Sequence, residues 1–411
     1  MNAFEFLRNT TFIFATLMLV KYFVFLVLAP FYPFKEKLRK LKWKSVRYNP
    51  LVSVVIPAWN EEVGVTNSIN SLIKNTYQNI EVIVVDDGSQ DKTSQVVKAT
   101  INSNPNKNIS IKLFQKENGG KGSALSYGIE RVSGEIIVTM DADSAYEKHA
   151  IERIVEYFKD PEIDAIVGNV KVSENETLVG SIQKLEYLFG FYFKRAHAVM
   201  GAEYIFGGAC AAFRKSTTFD KYGLFDTTNK TEDIEMSMRL RFFGINCTYA
   251  ENVLCYTEGA SSILGLVNQR LRWKKGRFDT FMKYRRMFFS LDRNHNKFLS
   301  WFILPYSLLA EIQLLFEPLA ITLLAAYSFI SGDYLSLALG SLFVFVIYFV
   351  SAIFGENFNP GLLISYFYTW PLFYFLVWIE YLALMKSLKL ILRGEDITWQ
   401  KWDRVGIKEK I

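Results

Sequence analysis

Apolar and polar positions change rhythm along this 411-residue chain, and the changes divide it into parts. Thr10 to Phe34 is apolar apart from Lys21, long enough to cross a hydrocarbon core of about 30 Å. From Leu51 to about Glu258 short β-branched runs alternate with helical stretches. Strands are expected at Val52 to Ile56, Ile80 to Val85, Ile109 to Phe114 and Glu135 to Met140, and helices at Val63 to Asn75, Gln90 to Asn102 and Ser123 to Val132. This alternation predicts an α/β domain with a mostly parallel sheet covered on both faces. Ligands of such sheets bind beyond the carboxyl ends of the strands. Leu178 to Ala196 and Leu264 to Phe289 each place apolar side chains on one helical face and Lys or Arg elsewhere. The second of these is expected to lie in a membrane interface. Three further apolar segments follow, at about Phe298 to Ile330, Leu335 to Phe354 and Leu362 to Met385.

Composition sharpens this division. Half of all residues are hydrophobic and 16% aromatic, yet the excess sits at the two ends and the middle reads like a soluble enzyme. The formal net charge of +6 is concentrated beside the apolar segments, which favours an anionic membrane surface over nucleic acid. Lys35, Lys37, Arg39, Lys40, Lys42, Lys44 and Arg47 follow the first apolar stretch. By the positive-inside rule they hold what comes next in the cytosol, so the stretch reads as an anchor and not as a cleaved signal. The tail is basic again (Lys389, Arg393, Lys401, Arg404) and argues for the cytosol. Three full crossings would put it outside, so one late segment is expected to be re-entrant or interfacial. Cys210, Cys247 and Cys255 lack metal-ligand spacing and are expected to be buried and reduced.

Candidate chemistry gathers at predicted strand ends. Asp86-Asp87-Gly88-Ser89 closes the second strand; a carboxylate there can accept from a uracil imide or ribose hydroxyls, or simply cap a turn. Asp141-Ala142-Asp143 follows a buried strand, and alternation sends both carboxylates to one side, about 6–7 Å apart at the backbone. That spacing suits a hard divalent cation bridging two phosphates. Asn118 to Gly122 brings Lys121 among small residues; it lacks Walker-loop spacing and otherwise reads as a surface turn. Thr231-Glu232-Asp233 opens a helix, so Asp233 can serve as a helix-end acid, a general base, or both. In Gln269-Arg270-Leu271-Arg272-Trp273, Arg272 can neutralise a diphosphate and Trp273 can stack on a sugar ring; the plainer reading is an interfacial helix with snorkelling Arg.

Taken in order, these motifs resemble the membrane-integrated, processive family 2 glycosyltransferases, which include the synthases of poly-N-acetylglucosamine, hyaluronan, chitin and cellulose. The likeness runs from Val52 to Trp273, with the motifs about 55, 90 and 36 residues apart. It implies a Rossmann-like GT-A fold, a UDP-sugar donor (UDP-N-acetylglucosamine favoured), inversion at the anomeric carbon, Mg2+ or Mn2+, and a polysaccharide passed outward through the membrane. It implies Asp87 at the uridine, Lys121 at the phosphates, and Asp141 and Asp143 at donor and metal, with Asp143 the firmer ligand. Asp233 is the implied base. Gln269, Arg272 and Trp273 hold the acceptor end and the diphosphate. Glu232 and the loop Phe206-Gly207-Gly208-Ala209-Cys210 are assigned to the acceptor, although the loop departs from the more usual Ser-Gly pair. The tail Thr398-Trp399 to Asp403-Arg404 is similar to the end of bacterial poly-N-acetylglucosamine synthases, with Trp402 where a Pro is frequent.

The expected organisation is an anchor (1–34), a basic linker (35–50), a GT-A domain (51–260), interfacial helices (261–297), late membrane helices (298–385) and a basic cytosolic tail (386–411). Expected partners are the sugar nucleotide, the growing polymer, membrane lipids and an accessory membrane subunit, with no nucleic acid. A transferase moving one sugar onto a lipid or lipid phosphate is the alternative. Glu311, Gln313 and Glu317 interrupt an apolar segment, where ionisable groups are costly. They are expected either to face a polymer channel or to make interhelical bonds.

Overall fold

The computed structural model describes residues 22–173, 177–332, 334–354, 372–397 and 406–407, with scattered positions among 5–20. Residues 22–28 are helical and lead into α1 (Tyr32–Trp43). The domain behind it alternates β1 (Val52–Ala58), α2 (Val65–Ile73), β2 (Ile80–Asp86), α3 (Thr93–Asn102), β3 (Ser110–Gln115), α4 (Lys121–Ile129) and β4 (Ile136–Thr139). Then come β5 (Ser144–Tyr146), α5 (Ala150–Phe158), β6 (Ala165–Val172), α6 (Leu178–Val199), β7 (Ala211–Arg214), α7 (Phe219–Tyr222), α8 (Glu232–Phe242), β8 (Cys247–Thr257) and α9 (Ile263–Lys283).

The eight strands form one sheet in the order β3-β2-β1-β4-β7-β6-β8-β5. The β3-β2-β1-β4 half is parallel, as the buried β-branched runs predict. The other half is mixed: β7 runs antiparallel to both β4 and β6, and β5 antiparallel to β8. Two apolar layers seal the sheet, one around Ile56, Ile69 and Val84, the other around Val55, Leu125 and Phe213. Strand order reverses at β1, between β2 and β4. Such a switch point opens a crevice at the carboxyl ends. Register fixes what meets there: Ala58 ends β1 opposite Asp86 of β2, and Met140 beyond β4 bonds to Val55 of β1.

The apolar third departs from expectation. Among the described residues no single helix is long and apolar enough to cross a membrane. Of the three late segments, one of which is expected to be re-entrant or interfacial, Phe298 to Ile330 is a bent pair, Leu299–Leu314 with Glu317–Ser331, inclined by 55°. Its first part is a π-helical turn (Leu299–Ile303) continuing into α10 (Leu304–Leu314), and its second is α11 (Glu317–Ser331). Pro318 at the start of α11 explains the break, because a proline has no N–H for a continuing helix and is tolerated in the first turn. The pair meets the length and composition of a span only jointly. Helix α12 (Tyr334–Phe354) follows, and α13 (Leu372–Arg393) carries Glu380 midway. Much of the first anchor, the start of the Leu362 to Met385 segment and the Thr398 to Arg404 motif lie outside the described residues. The three cysteines are buried and free.

Candidate active site

A cavity of about 810 Å³ opens over the carboxyl ends of β1, β2 and β4 and is roofed by α6, α8 and α9. It gathers Asp87, Lys121, Asp141, Asp143, Gly207, Gly208, Glu232, Asp233, Gln269, Arg272 and Trp273. Each arrives by a local rule.

Asp141 and Asp143 flank Ala142, which points the other way; its carbonyl accepts from Ser68 Oγ at 2.7 Å in the core. Both carboxylates therefore reach the cavity. Lys121, in the first turn of α4, sets its ammonium 2.6 Å from Asp141 and 3.3 Å from Glu232. Burial works against its charge, but Asp141, Glu232 and Asp233 outweigh it and hold the Lys121 pKa above the ordinary value. The Glu232 pKa is raised as well: burial pushes it up, Lys121 opposes this and Asp233 adds to it. A cation thus already sits among three carboxylates. Among the described residues no cluster of three or more His, Cys, Asp and Glu side chains could hold a metal. The Asp141–Asp143 pair offers hard oxygen donors in the style that Mg2+ or Mn2+ shares with substrate phosphates, so the residues fit such an ion bound together with a nucleotide.

Asp233 lies in the first turn of α8. Its Oδ1 accepts its neighbour Ile234 N–H at 2.8 Å and its Oδ2 accepts the Gly208 N–H at 3.1 Å. The Gly207–Gly208 loop thereby touches the carboxylate through its backbone. A Cβ on Gly208 would stand 2.5 Å from Lys121 Nζ, so a larger residue there would push the ammonium away from Asp141.

Asp87 lines the cavity and also holds the structure beneath it. Its side chain is 4% exposed and already holds Lys116 Nζ at 2.7 Å, Gly119 N–H at 3.1 Å and Gly120 N–H at 2.8 Å. It braces the Asn118–Gly122 loop that carries Lys121. A carboxylate has about four acceptor sites, so one remains for a ligand donor.

The loop at 205–209 is fixed from below by Glu203, which is fully buried. Its Oε1 takes Lys194 Nζ at 2.6 Å and the N–H groups of Tyr204 and Ile205, while Lys194 also donates to the Ile205 carbonyl at 2.8 Å. Burial raises the carboxyl pKa, but Lys194 and the more distant His197 overcome it and bring it down to about 2. A depressed carboxyl pKa stabilises the fold above its unfolded value of 4.5, and the gain is lost as pH falls towards 2. Glu203→Gln is expected to cost about 3 kcal/mol near neutral pH. The gap to wild type should close between about pH 5 and pH 2, read by denaturant unfolding at each pH.

Helix α9 carries three roles on different faces. Gln269, Arg272 and Trp273 face the cavity. Arg270, Lys274 and Arg277 face Glu186, Glu311 and Glu380, with Arg270 to Glu380 at 3.1 Å, Lys274 to Glu311 and Glu380 at 2.8 Å each, and Arg277 to Glu311 at 3.1 Å. Arg270 also pairs closely with Glu186 of α6. The helix expected to lie in an interface packs between the α/β domain and the apolar helices. Glu311, one of the acids considered for a channel, is taken by this ion-pair ladder. Gly276 is the third feature: a Cβ there would lie 2.1 Å from Thr231 Oγ1, directly below Glu232 and Asp233. Ala in an open helix gains about 1 kcal/mol over Gly. Gly276→Ala is expected to reverse that sign, which thermal unfolding would read.

Sequence reasoning missed Trp59 and Glu61 beyond β1, Lys116, Tyr187 of α6 and Glu258 beyond β8, which brace or line the cavity. The carboxyl-end rule applied to β1 would have found the first two. The others depend on tertiary packing.

Comparison with known proteins agrees with this architecture. The description "Glycosyl transferase family 2" matches residues 53–219. A poly-β-1,6-N-acetyl-D-glucosamine synthase of Staphylococcus epidermidis is 31% identical over 265 residues, 64% of this chain and 61% of the relative. The synthase of Staphylococcus aureus strain COL is 29% identical over 235 residues, 56% of each chain. The match thus spans about three fifths of these curated relatives' length. A mannosyltransferase of Pyrobaculum calidifontis, solved with GDP-Man and Mn2+, shares the fold at TM-score 0.56 and 19% identity, covering 89% of this chain and 98% of that one. With the cavity acids, the sheet order and these matches in agreement, residues 53–219 are a family 2 glycosyltransferase domain, in a chain similar to the poly-β-1,6-N-acetyl-D-glucosamine synthases.

Proposed function

We propose that this chain is an inverting, processive glycosyltransferase that extends a polysaccharide from a UDP-sugar, with UDP-N-acetylglucosamine the first donor to test, at the cytosolic face of a membrane. The single observation that carries the reading is the convergence of Lys121, Asp141, Asp143, Asp233, Arg272 and Trp273 on one cavity. The choice of sugar leans on the relatives named above.

In this reading the acceptor's terminal hydroxyl attacks the anomeric carbon, and its proton passes to Asp233. The bond from that carbon to the diphosphate oxygen breaks, and the electron pair leaves on UDP. A divalent ion at Asp143 and Asp141 would supply Lewis-acid neutralisation of the diphosphate. Lys121 and Arg272 add fixed positive charge at the same end. Trp273 offers the face against which the acceptor sugar stacks, while Gly208 keeps Asp233 oriented through its N–H.

The test is incubation of the lipid-reconstituted protein with single sugar nucleotides plus Mg2+ or Mn2+, scoring nucleotide release and product length. Polymer from UDP-N-acetylglucosamine supports the proposal. Addition of a single sugar to a lipid points to the non-processive alternative, and turnover of GDP-mannose alone refutes the assigned donor.

A further inference from the structure

Helix α1 joins the first apolar helix to the catalytic domain, and its faces are chemically distinct. One face is fastened to the domain. Tyr32 Oη donates to the Tyr249 carbonyl at 3.0 Å. Arg39 pairs with Glu36 at 2.9 Å, donates to the Glu156 carbonyl at 3.1 Å and lies over the Tyr157 ring. The opposite face is open: Phe34, Leu38 and Leu41 are 65%, 53% and 60% exposed. They fall at helical spacing and extend the exposed Phe23, Val27 and Phe31 of the segment before.

Between these faces runs a row of lysines. Lys37, Lys40 and Lys44 line a cavity of about 560 Å³ together with Lys159 at the end of α5. Three acids also line it, Glu36, Glu156 and Glu251. Glu36 is held by Arg39 and Glu251 by Arg195. Among the described residues no carboxylate pairs with the four lysines. Trp43 Nε1–H is buried at the same cavity and has no acceptor among the described residues.

We propose that α1 lies in the membrane interface with Phe34, Leu38 and Leu41 among acyl chains, and that the lysine cavity beside it takes the phosphate of an anionic phospholipid. Charge complementarity selects this occupant: an apolar stripe bordered by unpaired lysines matches the acyl and phosphate layers of an anionic leaflet. Continuity with the exposed apolar positions of the preceding helix supplies the entry depth. Attachment of this kind rests on the membrane placement proposed above and is independent of which sugar is transferred.

The full chain is reconstituted in phosphatidylcholine vesicles containing about a third phosphatidylglycerol. The native cysteines are buried, so a nitroxide can be placed selectively at Leu38→Cys and, as a control, at Phe23→Cys. Both labels should be quenched by oxygen and shielded from an aqueous nickel chelate. A shielded Phe23 label with a fully exposed Leu38 label overturns the proposal while leaving membrane insertion intact; exposure of both overturns both. Phosphatidylglycerol retained through detergent purification, measured by mass spectrometry, should fall at least about tenfold in the Lys40→Gln, Lys44→Gln, Lys159→Gln triple variant. The corresponding Arg triple should retain it. Equal retention in wild type and the Gln triple, or loss in both triples, rejects the phosphate site.

Discussion

Asp233→Asn is expected to lower sugar transfer by about a thousandfold, with UDP affinity unchanged within about twofold. The amide keeps the shape of the side chain and one oxygen for the Gly208 N–H, so the loop at 207–208 should stay in place. What disappears is the ability to take the acceptor's proton. The neighbouring Glu232 does not substitute: its Oε1 faces Lys121 at 3.3 Å, and burial raises its pKa, which favours the protonated form. Single-turnover assays alongside UDP titration separate the two quantities. A variant retaining more than about a tenth of wild-type turnover would remove Asp233 from the base role.

Arg270→Met is the second large effect, on stability. The guanidinium is 3% exposed and links Glu186 of α6 to Glu380 of α13. Breaking a buried pair by deleting one partner costs about 3–5 kcal/mol, because the remaining charge is stranded. Here Glu186 softens the loss. Burial already outweighs Arg270 and raises its pKa, so it can take up a proton instead of staying charged. The lower end of the range is therefore expected, a fall in unfolding temperature of about 3–4 °C for a chain of this length. Transfer activity should fall too, since Gln269, Arg272 and Trp273 ride on the same turns of α9. Arg270→Lys keeps a charge but cannot fork between two helices, and should sit between wild type and Met.

The parallel half of the sheet was legible because buried strands of this kind are near-continuous β-branched runs, as at Val52 to Ile56 and Ile80 to Val85. The acids at their ends followed from the same rule. The mixed half was not: β5 and β7 are three and four residues long, too short to show a period. Two losses have other causes. The ladder from Arg270 to Glu311 reads in sequence as snorkelling charge plus stray membrane acids, because only tertiary packing pairs residues 37 apart such as Lys274 and Glu311. The bend near Pro318 was marked by the proline, but an apolar run that continues through it hides the break when hydropathy alone is followed.

In the proposed function Asp141 and Asp143 hold a divalent ion together with a nucleotide diphosphate in the cavity beneath α9. Calorimetric titration of UDP into the purified full chain, with and without Mn2+, and into Asp143→Asn under both conditions, tests this most directly. Binding should tighten at least about tenfold with Mn2+ in the wild type and show no metal dependence in the variant. UDP binding that is equally strong with and without the ion, in both proteins, would show that these carboxylates hold no metal for the nucleotide.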